Sequence, residues 1–193
     1  LARYRMTTPS VRWHVYSDAA TLAGEVAESI LRQARRSIAG HGAFRMVLAG
    51  GTTPGAVYAR LAKAESQWAA WHVYFGDERC LPRGARDRND TMARELWLDH
   101  VAIPPGQVHP IPAERGARAG AKADSETLEA VGGFDLALLG LGEDGHTASL
   151  FPGNPAGDDP QSPDVLAVTG APKPPPERIS LSANRLSRSK AVL

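Results

Sequence analysis

The chain has 193 residues, of which 42% are hydrophobic and 22% charged, and its formal net charge is +1. This length suits one domain with a sizeable core, and the composition is typical of a globular rather than a disordered protein. The low net charge gives no reason to expect nucleic acid or a membrane surface as a partner. With Cys80 as its single cysteine, the chain has neither an internal disulfide nor a thiolate zinc cluster, which is typical of a cytoplasmic protein. No apolar run reaches the roughly 18 residues that a membrane span needs.

Strand-like and helix-like segments alternate along the chain. A long amphipathic helix is predicted over residues 19–38, with Ser17 or Asp18 as its N-cap and Gly40 as its stop. A second helix is predicted over residues 54–63, with Thr53 as its cap and proline at its first position. The other predicted elements are strands at 11–16, 44–49, 72–75, 108–111, 134–139, 179–181 and 190–193, a polar loop at 76–79, helices at 90–100 and 125–131, and an exposed connection at 113–124.

This alternation predicts a single α/β domain over residues 9–193, preceded by a flexible extension at residues 1–8. Strands separated by helices form right-handed βαβ units, so we expect a mainly parallel, Rossmann-like sheet with helices on both faces. Ligands bind such sheets beyond the carboxyl ends of the strands. Three loops are predicted to leave strands there: residues 50–54, 76–79 and 140–146.

The first of these loops contains Gly50, Gly51, Thr52 and Thr53 and leads into a helix. Glycines allow the backbone to approach an anion closely, and the free N–H groups of a helix N-terminus point toward it. Phosphate is therefore the ligand that this loop favours. The alternative is a capped tight turn without a ligand.

The third loop, residues 140–146, matches the dinucleotide-binding pattern GxGxxG, but too few residues precede Pro152 for the helix that this fingerprint requires. Asp144 lies two residues before His146 in the same loop. A carboxylate at that distance can fix the tautomer of an imidazole and raise its basicity. A catalytic histidine and a purely structural one both remain open on this evidence.

Two further charged segments are candidates for binding an anion. Asp77, Glu78 and Arg79 follow a predicted strand, where the guanidinium could grip a phosphate or a developing oxyanion. The alternative for this segment is a solvated charge cluster. Lys173 and Arg178 flank a polyproline turn, and a simple brace for that loop is the alternative there.

Four motifs occur in an order that resembles the 6-phosphogluconolactonase family, within the superfamily that includes the glucosamine-6-phosphate deaminases. They are AGGTTPGAVYARLA at 49–62, GDERCLP at 76–82, FDLALLGLGEDGHTASLFPG at 134–153 and KPPPERISLS at 173–182. The resemblance implies the fold of that superfamily. It also implies hydrolysis of 6-phospho-D-glucono-1,5-lactone to 6-phosphogluconate in the oxidative pentose phosphate pathway, without a cofactor or a metal.

The resemblance also implies roles for particular residues. His146 would be the general base that deprotonates the attacking water, Asp144 would orient its imidazole, and Arg79 would stabilise negative charge on the substrate. The residues implied in substrate binding are Gly50, Gly51, Thr52, Thr53, Asn89, Lys173 and Arg178.

Two positions argue against the deaminase activity found on the same fold. Arg79 stands where deaminases have a tyrosine, and Phe151 stands where they have a glutamate. A non-catalytic sugar-phosphate sensor is a further alternative. The family normally continues beyond residues 190–193 into a turn with a lysine and a final helix, so the resemblance implies that this chain lacks that segment. The oligomeric state is left open, with a monomer favoured.

Overall fold

The computed structural model describes residues 11–193, so the predicted extension at residues 1–8 lies outside the described range. Within that range the strands are β1 Phe44–Leu48, β2 Trp71–Phe75, β3 Asp77–Arg79, β4 Leu136–Ala137, β5 Val165–Val168 and β6 Arg178–Leu181. The α-helices are α1 Ala19–His41, α2 Thr52–Leu61, α3 Asn89–Leu96, α4 Ala117–Leu128 and α5 Ala183–Ser187. Short 3₁₀ helices are formed at Trp68–Ala70, Leu98–His100, Pro105–Gln107 and Ala113–Arg115.

The predicted parallel sheet is confirmed, with β1 at its centre. β1 pairs in parallel with β2 on one side and with β4 on the other. Parallel bridges from Val73 to Val108 and from Ala137 to Val192 extend the sheet on both sides. The chain thus proceeds outward from β1 in one direction and then returns on its other side, which makes the β1–β4 crevice the topological switch point.

Burial along β1 shows that both faces of this sheet are covered. Met46, Val47 and Leu48 are all buried, and successive strand residues point to opposite faces. Four buried aromatic side chains continue this core around β2. Trp71 packs edge-on against Phe44 and Trp97, and Trp97 stacks on Tyr58.

A second, antiparallel sheet was not predicted. Its strand order is β3-β6-β5, with Asp77 opposite Ser180 and Arg79 opposite Arg178. The predicted polar loop at 76–79 is therefore wrong, since most of it is β3. Its charged side chains give no strand pattern, and its pairing partner, β6, lies about a hundred residues later in the chain.

The predicted helices in the first half exist, with shifted ends. α1 begins at its predicted cap Asp18, whose carboxylate accepts a hydrogen bond from Thr21 N at 2.7 Å. It ends at Gly42, which has a φ of 81°, rather than at Gly40. Thr53 is not a cap, because α2 already starts after Gly51.

Two other predictions are wrong. Residues 11–16 form no strand, since their alternating apolar side chains find no partner strand in the described range. Residues 113–124 are not an exposed connection, because α4 covers most of them. Alanines there favour a helix, and Gly120 allows that helix to pack closely against Pro112 and Ile179. The helix predicted at 125–131 is the end of α4.

Candidate active site

All three predicted loops meet at one cavity of about 200 Å³ beside the crevice between β1 and β4. The loops come together because the strands that carry them end at the same edge of the sheet. The cavity is lined by Ala49, Gly50, Gly51, Asp77, Arg79, Gly140, Leu141, Gly142, His146, Ala148 and Arg178.

His146 and Asp144 form a hydrogen-bonded pair at this cavity. Nδ1 of His146 contacts Oδ1 of Asp144, so the imidazole donates from Nδ1 and keeps Nε2 free to accept a proton. This hydrogen bond is the main reason that the pKa of Asp144 falls to about 2. Lys173 lies at the rim, with its Nζ 3.6 Å from the same carboxylate oxygen. Asp144 is thus ionised at neutral pH and can orient the ring.

Glycines in the 140–146 loop make room for this pair. A Cβ at Gly142 would collide with His146 Nδ1 and Asp144 Oδ1, and Gly145 has a φ of 84°. The loop closes on itself, since the Gly142 N–H donates to the His146 carbonyl at 2.8 Å. No helix starts at its last glycine. The GxGxxG spacing therefore serves the histidine pair, and the helix that the dinucleotide fingerprint requires is not formed after Gly145.

Phe151 forms an apolar floor under the histidine. Its side chain is buried, and its ring centroid lies 4.7 Å from that of His146. The guanidinium of Arg178 lies 5.5 Å from the same ring. The aromatic ring limits the orientations open to the imidazole of His146. It also means that position 151 supplies no acidic group to the cavity.

Arg79 and Arg178 bring two positive charges to the cavity from neighbouring strands. Arg178 is buried and braces the polyproline turn, because its Nη2 donates to the carbonyls of Lys173 and Pro174 at 3.0 and 3.2 Å. Burial and then the nearby charge of Arg79 lower the pKa of Arg178. The two predicted roles of Arg178, loop brace and cavity cation, are thus both compatible with its position.

The Gly50–Thr53 turn is divided between two adjoining cavities. Gly50 and Gly51 line the cavity that contains His146. Thr52 and Thr53 instead line a neighbouring cavity of about 410 Å³, which shares both glycines. Gly51 has a φ of 105°, a conformation that favours glycine and turns the chain into α2.

Asn89 lies behind the cavity rather than in its lining. Its side chain packs so closely on Gly50 that a Cβ there would collide with it. Its amide nitrogen donates to the Asp77 carbonyl at 2.9 Å and to Asp77 Oδ1 at 3.0 Å. The hydroxyl of Ser149 donates to the other carboxylate oxygen of Asp77 at 2.6 Å. Asp77 thus connects β3 with the start of α3 and with Ser149, and no sequence pattern predicts the Ser149 contact.

A buried ionic network supports the same region, which contradicts the interpretation of Asp77 and Glu78 as a solvated cluster. The carboxylate of Glu78 accepts from the backbone N–H groups of Arg79, Asn89 and Asp90 at 2.8, 2.8 and 2.9 Å. Burial raises the pKa of Glu78 to about 7. The fully buried Arg88 binds the Asp90 carboxylate through two nitrogens, at 2.7 and 3.1 Å. These contacts fix the start of α3 against β3.

Residues 11–193 contain neither a candidate membrane span nor a candidate metal site. None of the helices there is long and apolar enough to cross a membrane. Nor do three or more His, Cys, Asp or Glu side chains of this range converge in a way that could hold a metal ion.

Comparison with known proteins identifies the family. The protein-family model described as glucosamine-6-phosphate isomerases/6-phosphogluconolactonase matches residues 17–193 of this chain. The chain belongs to this family. It is 36% identical over 192 residues to a 6-phosphogluconolactonase of Mycobacterium leprae, covering 92% of this chain and 77% of the relative. A Synechocystis 6-phosphogluconolactonase is 42% identical over 133 residues, covering 63% of this chain and 54% of the relative.

Solved structures agree with this assignment. The crystal structure of a 6-phosphogluconolactonase from Thermotoga maritima superimposes with a TM-score of 0.84 at 28% identity, covering 93% of this chain and 80% of that one. The fold and the family that the sequence motifs implied are therefore confirmed. The roles of individual site residues stay predictions.

Proposed function

We propose that this chain hydrolyses 6-phospho-D-glucono-1,5-lactone to 6-phosphogluconate, a step of the oxidative pentose phosphate pathway, with His146 as general base. The observation that carries this proposal is the His146–Asp144 pair in a cavity that also contains Arg79, Arg178 and a glycine turn. The relatives named as 6-phosphogluconolactonases support the substrate.

In the proposed mechanism, Nε2 of His146 removes a proton from water while the water oxygen attacks the lactone carbonyl. The tetrahedral intermediate then collapses, the bond from the carbonyl carbon to the ring oxygen breaks, and the imidazolium returns the proton to that oxygen. Asp144 stabilises the imidazolium. A base positioned in this way contributes about 10²–10⁴-fold to the rate, which suits an activated ester such as a lactone.

The phosphate is proposed to bind at the Gly50–Thr53 turn. The first N–H groups of α2 have no carbonyl partner within the helix, and Gly50 and Gly51 expose backbone to the cavity. Arg79 and Arg178 add positive charge beside it, and Lys173 stands at the rim. Charge-assisted hydrogen bonds to phosphate are about twice as strong as neutral ones. Asn89 supports the turn from behind.

The family description also includes glucosamine-6-phosphate isomerases. Deamination of glucosamine 6-phosphate must therefore be distinguished from lactone hydrolysis. Deamination needs additional proton transfers, and Phe151 cannot titrate. Its ring packs directly on His146. We therefore predict no release of ammonia from glucosamine 6-phosphate. Ammonia above background, without lactone hydrolysis, would assign the chain to the other activity.

The general base is tested by His146→Ala. Because no other imidazole of residues 11–193 lines the cavity, we predict a loss on the order of 10²-fold in lactone hydrolysis. The measurement is the initial rate, corrected for the spontaneous opening of the lactone. His14→Ala is the matched control, since His14 is exposed and lies outside the site. A rate for His146→Ala within about threefold of the wild type would remove His146 from the mechanism.

We further propose a cytoplasmic protein that acts as a monomer on a small phosphorylated lactone, without nucleic acid or membrane as a partner. The cytoplasmic location is supported by Cys80, which is the single cysteine of the chain and a free thiol. Burial raises the pKa of this thiol to about 11, so it stays protonated and unreactive at neutral pH.

A further inference from the structure

The hydroxyl of Tyr58 makes two hydrogen bonds to one residue at the end of β1. It donates to the carbonyl oxygen of Ala49 at 2.7 Å and accepts from the N–H of Ala49 at 3.0 Å. Tyr58 lies on α2 and is completely buried. The residue that follows Ala49 is Gly50, the first residue of the turn that we propose binds phosphate.

Ala49 directly follows β1, and its backbone bonds to Tyr58 rather than to the chain that continues β4. On the β4 side of β1, the Leu138 N–H donates to the Val47 carbonyl at 2.9 Å. On the β2 side, the Gly76 N–H donates to the Leu48 carbonyl, also at 2.9 Å. Backbone groups of successive strand residues point to alternate sides, so those of Ala49 point toward the chain that continues β4. They bond to Tyr58 there instead. The crevice between β1 and β4 opens at this residue.

The position of the Tyr58 hydroxyl is itself fixed. Its ring stacks on that of Trp97, with the ring centroids 5.7 Å apart. Tyr58 belongs to α2, the helix that follows the Gly50-Gly51 turn. Burial raises the pKa of the hydroxyl, so it remains protonated and able to donate over the whole physiological range. The two hydrogen bonds between Tyr58 and Ala49 therefore hold the start of the turn against α2 within one strand–helix unit.

We propose that Tyr58 is a positioning residue of the active site, whose hydroxyl ends the β1–β4 ladder at Ala49 and holds the Gly50-Gly51 turn in the geometry that binds the substrate phosphate. This inference rests on the proposed function, which places the phosphate at that turn. Tyr58 does not line the cavity, so it acts through the backbone of Ala49. Its loss should weaken phosphate binding more than it weakens the chemistry at His146.

The test compares Tyr58→Phe with Tyr74→Phe. Tyr74 is also a buried tyrosine, but its ring packs on His109 and Phe134, away from the turn. Each variant is assayed on 6-phosphogluconolactone and on unphosphorylated glucono-1,5-lactone, and binding of inorganic phosphate is measured by calorimetry. Thermal melting establishes that each variant is folded at the assay temperature.

For Tyr58→Phe we expect KM for the phosphorylated lactone to rise about fivefold or more and phosphate binding to weaken in parallel. Its kcat/KM for the unphosphorylated lactone should stay within about twofold of the wild type, and Tyr74→Phe should leave both substrates unchanged. A purely structural tyrosine would lower the melting temperature without changing the ratio between the substrates, and that result overturns the inference. A wild-type protein that binds phosphate but hydrolyses neither lactone would instead refute the proposed function and leave the binding comparison intact.

Discussion

At the scale of single residues, the catalytic proposal depends on one carboxylate. Asp144 is ionised at neutral pH, because its hydrogen bond with His146 lowers its pKa to about 2. We predict that Asp144→Asn lowers lactone hydrolysis on the order of 10²-fold, since an amide neither stabilises the imidazolium nor enforces the Nδ1–H tautomer. Initial rates from pH 5 to 8 are the measurement. The wild-type profile should show no ionisation of Asp144 in this range.

Glu143→Gln is the matched control for this substitution. Glu143 is an exposed acid in the same loop, so it removes one negative charge without touching the imidazole. If both variants slow the reaction equally, the effect of Asp144 is one of general charge. The proposed orientation of His146 would then be wrong.

The sequence predicted those site residues that carry their own local signal. His146 and Asp144 lie two positions apart in one loop, and glycines mark the Gly50-Gly51 turn. Contacts between distant segments had no such signal. Asn89 was assigned to the substrate, although its side chain faces Asp77. The Ser149 contact with Asp77 spans 72 positions, and no spacing rule reaches that far.

At the scale of elements, the parallel strands and the long helices were predictable because each carries its periodicity within one segment. Elements that depend on a distant partner were not. β3 is strand-like only because β6 pairs with it, whereas residues 11–16 have a strand pattern and no described partner. Only the end of α4 was predicted, because in its first part small residues such as Gly120 bury a helix face without a conspicuous apolar stripe.

The link between two of these elements can be tested at Ser149, whose hydroxyl ties the His146 loop to β3 through Asp77. Ser149→Ala leaves a buried carboxylate oxygen without this donor. We predict a loss of about 1–3 kcal/mol in the free energy of unfolding, and a fall in kcat of about tenfold as the loop loses its anchor. Chemical denaturation and steady-state rates provide the two measurements.

Ser187→Ala is the control for this prediction. Ser187 lies in α5, is exposed, and donates only to the Asn184 carbonyl, at 2.9 Å. It should change neither quantity by a measurable amount. If Ser149→Ala destabilises the protein while kcat stays at the wild-type value, Asp77 holds the loops together without affecting the position of His146.

At the scale of the whole molecule, one buried acid is expected to make folding sensitive to pH. Asp124 lies on α4, is buried, and makes no side-chain hydrogen bond within residues 11–193. Burial raises its pKa from 3.8 to about 7, and Arg185 offsets this only in part. Between these two values the unfolded chain is ionised while the folded protein binds a proton. Asp124 therefore opposes folding increasingly as the pH rises through that window, and fully above about pH 7.

We predict that Asp124→Asn stabilises the protein at pH 8, by on the order of 1–3 kcal/mol, because a neutral amide avoids the cost of a buried charge. The gain should shrink as the pH falls and be smallest below about pH 3, where the wild-type carboxyl is mainly protonated in both states. Because the pKa of Glu78 is also raised to about 7, the measurement is the difference in unfolding free energy between variant and wild type at each pH. Asp158→Asn, on the exposed surface, should show a difference near zero throughout. A difference for Asp124→Asn that is independent of pH would mean that the folded protein holds this carboxylate ionised, with Arg185 compensating its burial.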